Sequence, residues 1–248
     1  MKNSLILSLL LLSQLSYSKS TDDRYYELRV YYCNPGKLDA LITRFRDHAV
    51  PLFKKYNIEG LGYWVPTKNS DNAFYYLMSY PNKEARDASW RDFAADPLWK
   101  EAARKSEENG KLIAKAETYF LKTTDYSPKF KASKAGELNT YELRIYTAKP
   151  EKLPNLESRF RDHTMKIFKN NGMKNINYFT TIESDPSVQP KLLYFLSHKN
   201  EAAAKLSWEN FRKDPEWIKA STASEVNGKL VEKVEAVYMQ GTDFSKLK

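Results

Sequence analysis

Two short stretches decide the fold: YELRVY at residues 26–31 and YELRIY at residues 141–146. In each, apolar residues alternate with a glutamate and an arginine, which is the period of a β-strand with two unlike faces. Tyr26, Leu28 and Val30 form one face, and Glu27, Arg29 and Tyr31 the other. The likeness extends far beyond the strand. Between residues 26–48 and 141–163, 14 of 23 positions are identical. Chance would give roughly one or two, so the chain is a tandem duplication. After an extra segment near residues 183–190 the offset lengthens, and Trp90, Asp96, Pro97, Asn109 and Gly110 return as Trp208, Asp214, Pro215, Asn227 and Gly228. Even TTDYS at 123–127 reappears as GTDFS at 241–245.

Each copy carries the same order of elements. A first strand near residues 25–32 leads to Pro35 (Pro150 in the second copy), which suits the first turn of a helix. Leu38, Leu41, Phe45, Ala49 and Leu52 recur at helical spacing. GLGYWVP and FYYLMSY read as strands, and Ala85, Trp90 and Phe93 mark a second helix. Asp96-Pro97 caps a further short helix, which Asn109-Gly110 ends. AETYFL is the last strand. The order β-α-β-β-α-β is a ferredoxin-like unit, so the fold class is α+β. We place the first unit at residues 24–126, a Lys-, Ser- and Gly-bearing linker at 127–138 and the second unit at 139–245. The apolar strands call for sheet-to-sheet packing of the two units as a pseudo-twofold barrel. Tyr26, Leu28 and Val30 then face the helices. Glu27, Arg29, Glu142 and Arg144 point between the sheets and satisfy one another, as buried charges must.

Residues 1–18 have a lysine, an apolar run from Leu5 to Leu12 and small residues before position 19. This pattern predicts a secretory leader cleaved near Ser18 and an exported chain, periplasmic or secreted, with no stable membrane anchor. An uncleaved anchor is the alternative. The single cysteine, Cys33, cannot form an internal disulfide and reads as a packing thiol. The net charge of +9 favours anionic partners, yet the basic residues alternate with acidic ones along the helices. No nucleic-acid-binding signature appears. Three histidines, none at HxxxH spacing, argue against a metal centre.

The long ordered run from YELRVY through PGKLDALITRFRDHAVPLFKKYNIEGLGYWVP, followed by YLMSYPNKEARDASWRDFAADPLWKEA, resembles the NIPSNAP domain, and so does the second half. The resemblance implies a dimeric α/β barrel. That superfamily also holds cofactor-independent monooxygenases, haem-degrading and haem-binding enzymes and sugar mutarotases. The NIPSNAP family itself has no settled reaction, so whether this chain is an enzyme stays open. The second copy departs from the pattern where Ala204 replaces Arg86 and Phe179 replaces Trp64.

Three groups of candidate residues emerge. Glu27, Arg29, Glu142 and Arg144, with Tyr31 and Tyr146 beside them, either form a polar centre for an acidic or hydroxylated ligand or lock the two halves together. His48 and His163, at the edge of the helical core stripe, are candidates for acid/base catalysis between helix and sheet. They could equally ligate haem or be satisfied core residues. Tyr63, Trp64, Tyr76 and Trp90, with Tyr178 and Tyr194, either line an aromatic pocket or fill the core. The expected partner is a small anionic or polyhydroxylated molecule, with a further homo-oligomer of the pseudo-dimer as an option. No cofactor is expected, haem being the one weighed. The competing readings are an oxygenase or haem-related enzyme with His48 as acid/base, and a structural or partner-binding module without catalysis.

Overall fold

The computed structural model describes residues 22–134, 136–185 and 187–248. The leader expected at residues 1–18 lies outside these. The first half runs β1 (Tyr25–Cys33), α1 (Leu38–Arg44), a π-helical turn (Phe45–Ala49), α2 (Val50–Lys55), β2 (Glu59–Pro66), β3 (Ala73–Tyr80), α3 (Lys83–Ala95), α4 (Pro97–Ser106) and β4 (Ile113–Thr123). The second repeats it: β5 (Thr140–Ala148), α5 (Leu153–Arg159), a π-helical turn (Phe160–Thr164), α6 (Met165–Asn170), β6 (Lys174–Thr181), β7 (Lys191–His198), α7 (Glu201–Lys213), α8 (Pro215–Ser224) and β8 (Val231–Gly241). Asp96 accepts hydrogen bonds from the Leu98 and Trp99 amides at 2.7 and 3.4 Å, the expected cap of α4. Pro35 lies in a turn ahead of α1 rather than in its first turn; the Lys37 amide closes that turn on the Asn34 carbonyl at 3.0 Å.

The eight strands close into one barrel in the order β1-β3-β2-β8-β5-β7-β6-β4. Each half keeps its own four antiparallel strands, and its last strand pairs with the second strand of the other half: β4 with β6, β8 with β2. Closure joins the edge strands of the two sheets over three residues at each seam. The lumen is filled by side chains from both halves. Trp64 stacks on Phe195 at 5.2 Å and meets Tyr141, and around them pack Tyr26, Leu28, Leu143 and Phe179.

This packing reverses the expected faces. Tyr26, Leu28 and Val30 point into the lumen, whereas Glu27, Arg29 and Tyr31 point toward the helices. The same holds for Glu142 and Arg144. The centre of the lumen lies between the two sheets and is filled by apolar and aromatic side chains, while Glu117 and Glu235 line only the cleft at its open end. The helical layer has gaps through which an arginine reaches water.

The halves are joined instead by their tails. The amide of Thr242 bonds the Tyr63 carbonyl at 2.9 Å, and the Thr124 amide bonds the Tyr178 carbonyl at 3.1 Å. Arg46 forms a bidentate pair with Asp243 at 2.9 and 3.0 Å, and Arg161 does the same with Asp125 at 2.9 and 2.6 Å. The repeated RFRDH and TDYS/TDFS segments are therefore partners across the pseudo-twofold. These pairs are exposed, so they fix orientation more than they stabilise.

Candidate functional site

In the first half a single carboxylate organises the helix–sheet layer. Glu27, on β1, is wholly buried and accepts four N–H donors. They are Arg29 Nε at 2.6 Å, Arg86 Nε and Nη2 at 2.8 and 2.9 Å, and Trp90 Nε1 at 3.0 Å. Burial pushes the Glu27 carboxyl up, but the two guanidiniums outweigh it and hold the group below the usual carboxylate range. The Arg29 guanidinium lies over the Trp90 ring at 4.0 Å and reaches the Tyr31 hydroxyl at 3.1 Å. Tyr76 is fully buried beside them, its ring 5.1 Å from that of Tyr31, and among the described residues its hydroxyl makes no well-aligned hydrogen bond. Burial raises that phenol well above its ordinary value.

The second half rebuilds the cluster with different parts. Glu142 takes Arg144 at 2.8 Å and Trp208 Nε1 at 2.8 Å. Ala204 stands where Arg86 stood, and His198 supplies the missing partner through Nε2 at 2.9 Å. His198 itself occupies the position of Tyr80. Arg144 lies 4.2 Å over Trp208, with Tyr146 and Tyr194 beside it. Burial again pushes the Glu142 carboxyl up, and the His198 hydrogen bond and Arg144 hold it low. The Tyr194 hydroxyl, like that of Tyr76, makes no well-aligned hydrogen bond among the described residues. The two clusters are confined to their own halves, so the expected Glu–Arg lock across the barrel does not form.

His48 and His163 are not part of either cluster. Both lie in the π-helical turns and are exposed, with His48 on a groove between α1 and α4. Their expected place between helix and sheet is corrected by the turn itself. The residues facing inward are Leu41, Phe45, Ala49 and Phe53, each four apart. An α-helix would rotate this stripe by about 40° per step. The π-turn, closed by the Val50 amide on the Phe45 carbonyl, widens the helix and keeps the stripe inward. The histidine is turned out.

Trp64 lies in the lumen, away from both clusters. Tyr63 and Tyr178 belong to the helix–sheet layers. Burial pushes the Cys33 thiol up to about 11, which suits its packing role. Sequence reasoning left Arg86, Trp208 and His198 out of the site. Arg86 and Trp208 carried a signal, through the Ala204 exchange and the Trp90 repeat. His198 carried none, because its role appears only when β7 is laid beside β5, with His198 opposite Thr140. Among the described residues no group of three or more His, Cys, Asp or Glu side chains could hold a metal ion, and no helix is long and apolar enough to cross a membrane.

The NIPSNAP family model matches residues 26–128 and again 141–246, most of both halves. The chain belongs to the NIPSNAP family. Among solved structures, a "Putative monooxygenase" from Fusobacterium nucleatum shares the fold across 88% of this chain and 92% of its own, at 12% identity and a TM-score of 0.58. An anthrone oxidase-like protein covers 89% of this chain and 92% of its own, at 9% identity and a TM-score of 0.57. A NIPSNAP-like domain protein from Burkholderia xenovorans is 21% identical over 43% of this chain and 90% of its own, with a TM-score of 0.39. No curated protein sequence matches. The first two likenesses agree with the dimeric α/β-barrel fold, here built from tandem NIPSNAP domains in one chain.

Proposed function

We propose that this NIPSNAP protein binds a small anionic or polyhydroxylated molecule between helix and sheet, anchored by Arg29 in the first half and Arg144 in the second. The observation that carries this is the partial opening of an otherwise closed charge cluster. The Arg29 side chain keeps 19% exposure, whereas its partner Glu27 keeps none. One edge of the guanidinium is fixed by Glu27 and one face by Trp90, so little rotamer freedom remains to be lost on binding. The neighbouring Tyr31 and Tyr76 supply hydroxyls for a polyol or carboxylate. The leader-like residues 1–18 support an exported setting for this activity.

A second reading, cofactor-free oxygenation of an aromatic ligand, draws support from the whole-chain fold likeness to the proteins named as monooxygenase and anthrone oxidase-like. In that reading Arg29 holds the substrate anion and the tyrosines flank it. His48 is exposed and outside the cluster, which counts against it as the acid/base. The structural-module reading makes the same cluster a stabilising device and predicts no ligand.

Native mass spectrometry of the protein, isolated gently from its own compartment, tests the proposal. The expected spectrum has a discrete excess mass that disappears in the Arg29→Gln/Arg144→Gln variant while the fold, by circular dichroism, persists. An excess mass retained by that variant, or a clean apo mass from every gentle preparation, refutes it.

A further inference from the structure

The two halves differ at the cleft beside Tyr63 and its counterpart Tyr178. In the first half a mostly apolar cleft of about 680 Å³ opens between α2, β2 and the C-terminal tail, walled by Val50, Phe53, Ile58 and Phe244. Tyr63 forms its inner end, only 2% exposed. The Tyr63 hydroxyl lies over Gly60, where a Cβ would come within 1.9 Å of it. No hydrogen bond engages that hydroxyl among the described residues.

The second half closes the same place. Asn175 stands at the position of Gly60, and Met165 at that of Val50. The Tyr178 hydroxyl, the counterpart of Tyr63, donates to Asn175 Oδ1, and Asn175 Nδ2 bonds the Met165 carbonyl at 3.0 Å. One side chain thus satisfies the tyrosine, whereas in the first half the Tyr63 hydroxyl itself lies over the glycine and faces the cleft.

The mouth is basic. Glu59 pairs with both Arg24 at 2.8 Å and Lys246 at 3.1 Å, so one positive charge is in excess there. Lys54 adds another and meets no carboxylate among the described residues. A hydroxyl facing the inner end, apolar walls and a cationic rim define one kind of occupant.

We infer that the first half carries a ligand site, absent from the second, for a hydroxylated aromatic carboxylate whose hydroxyl meets Tyr63 and whose carboxylate meets Lys54, Lys246 and Arg24. None of the residues of the Arg29 cluster lines this cleft, so the site stands or falls independently of that proposal.

The test is fluorescence titration of the full chain with 6-hydroxy-2-naphthoate and with 2-naphthoate, which lacks the hydroxyl. We expect one site per chain and about tenfold tighter binding of the hydroxylated compound, corresponding to about 1.4 kcal/mol. In Tyr63→Phe the two compounds bind equally, because the partner of the ligand hydroxyl is gone. Gly60→Asn, which installs the second half's own residue, abolishes binding. A preference that survives Tyr63→Phe, two sites per chain, undiminished binding by Gly60→Asn in a folded protein, or no saturable binding of either compound overturns the inference.

Discussion

Replacing Arg86 with alanine removes half of the hydrogen bonds that hold a wholly buried carboxylate. Glu27 loses the donors at 2.8 and 2.9 Å and keeps Arg29 at 2.6 Å and Trp90 at 3.0 Å. Breaking a buried pair typically costs 3–5 kcal/mol, and because one guanidinium remains we expect the lower end, about 3 kcal/mol. For a chain of this size that lowers the melting temperature by about 6–12 °C. The second half contains the repair. There alanine already stands at the equivalent position, and a histidine in place of Tyr80 bonds the glutamate. Adding Tyr80→His to Arg86→Ala should therefore restore about half of the loss, although Tyr80→His alone destabilises by removing a buried ring. Thermal and urea unfolding of the wild type, both single variants and the double variant form the cycle. If Arg86→Ala stays within about 0.5 kcal/mol of wild type, or if the two changes simply add, Glu27 does not depend on a second cationic donor and the account of the cluster is wrong.

Two further outcomes are expected. Gly62 lies under the Trp64 indole, where a Cβ would come within 2.0 Å of the ring. Gly62→Ala should cost about 1–3 kcal/mol by overpacking, and Trp64→Phe, the second half's residue, should recover much of it; urea midpoints without such a recovery would refute the steric coupling. The folded-state values of Glu27 and Glu142 are both depressed, so their contribution is present above the unfolded carboxylate value and lost as pH falls through the folded ones. Melting temperatures should accordingly fall below about pH 4 and show no loss from these groups above about pH 5. An acid limb of the same steepness in Glu27→Gln/Glu142→Gln would assign it elsewhere.

The duplication, the strand and helix order and the barrel were all legible in the sequence, because a repeat of this length displays every element twice. The orientation of the YELRVY strand was not. Alternation separates Glu27 and Arg29 from Leu28 and Val30, but it is symmetrical with respect to which face meets the helices. The deciding fact is closure of the barrel, which packs Leu28 and Tyr26 against the aromatic side chains of the other half. Closure depends on the short β2–β8 and β4–β6 pairings, only three residues each. No composition signal marks such a pairing. The outward turn of His48 was hidden for a related reason. Apolar residues spaced three and four apart, Leu38, Leu41, Phe45, Ala49 and Leu52, read as an unbroken α-helix, and the π-turn marked by the Val50-to-Phe45 hydrogen bond leaves no separate trace in that spacing.

The differences between the halves are more informative than their identities. Identical residues in a duplicated chain are what duplication itself produces, so the repeat of Glu27 and Arg29 as Glu142 and Arg144 does not distinguish a site from a scaffold. The exchanges do, because each is a set whose members make sense only together. Arg86 and Tyr80 give way to Ala204 and His198, and the buried glutamate stays satisfied. Gly62 and Trp64 give way to Asn177 and Phe179, with a smaller ring where the glycine is lost. Both sets preserve a packing or charge requirement, which identifies the requirement as structural. The exchange of Gly60 for Asn175 is of another kind. It leaves a tyrosine hydroxyl facing the cleft without a protein partner among the described residues in the first half, and satisfied by asparagine in the second. This exchange answers no packing or charge requirement of the first half, so the open cleft beside Tyr63 is where a selective use of that half would be found.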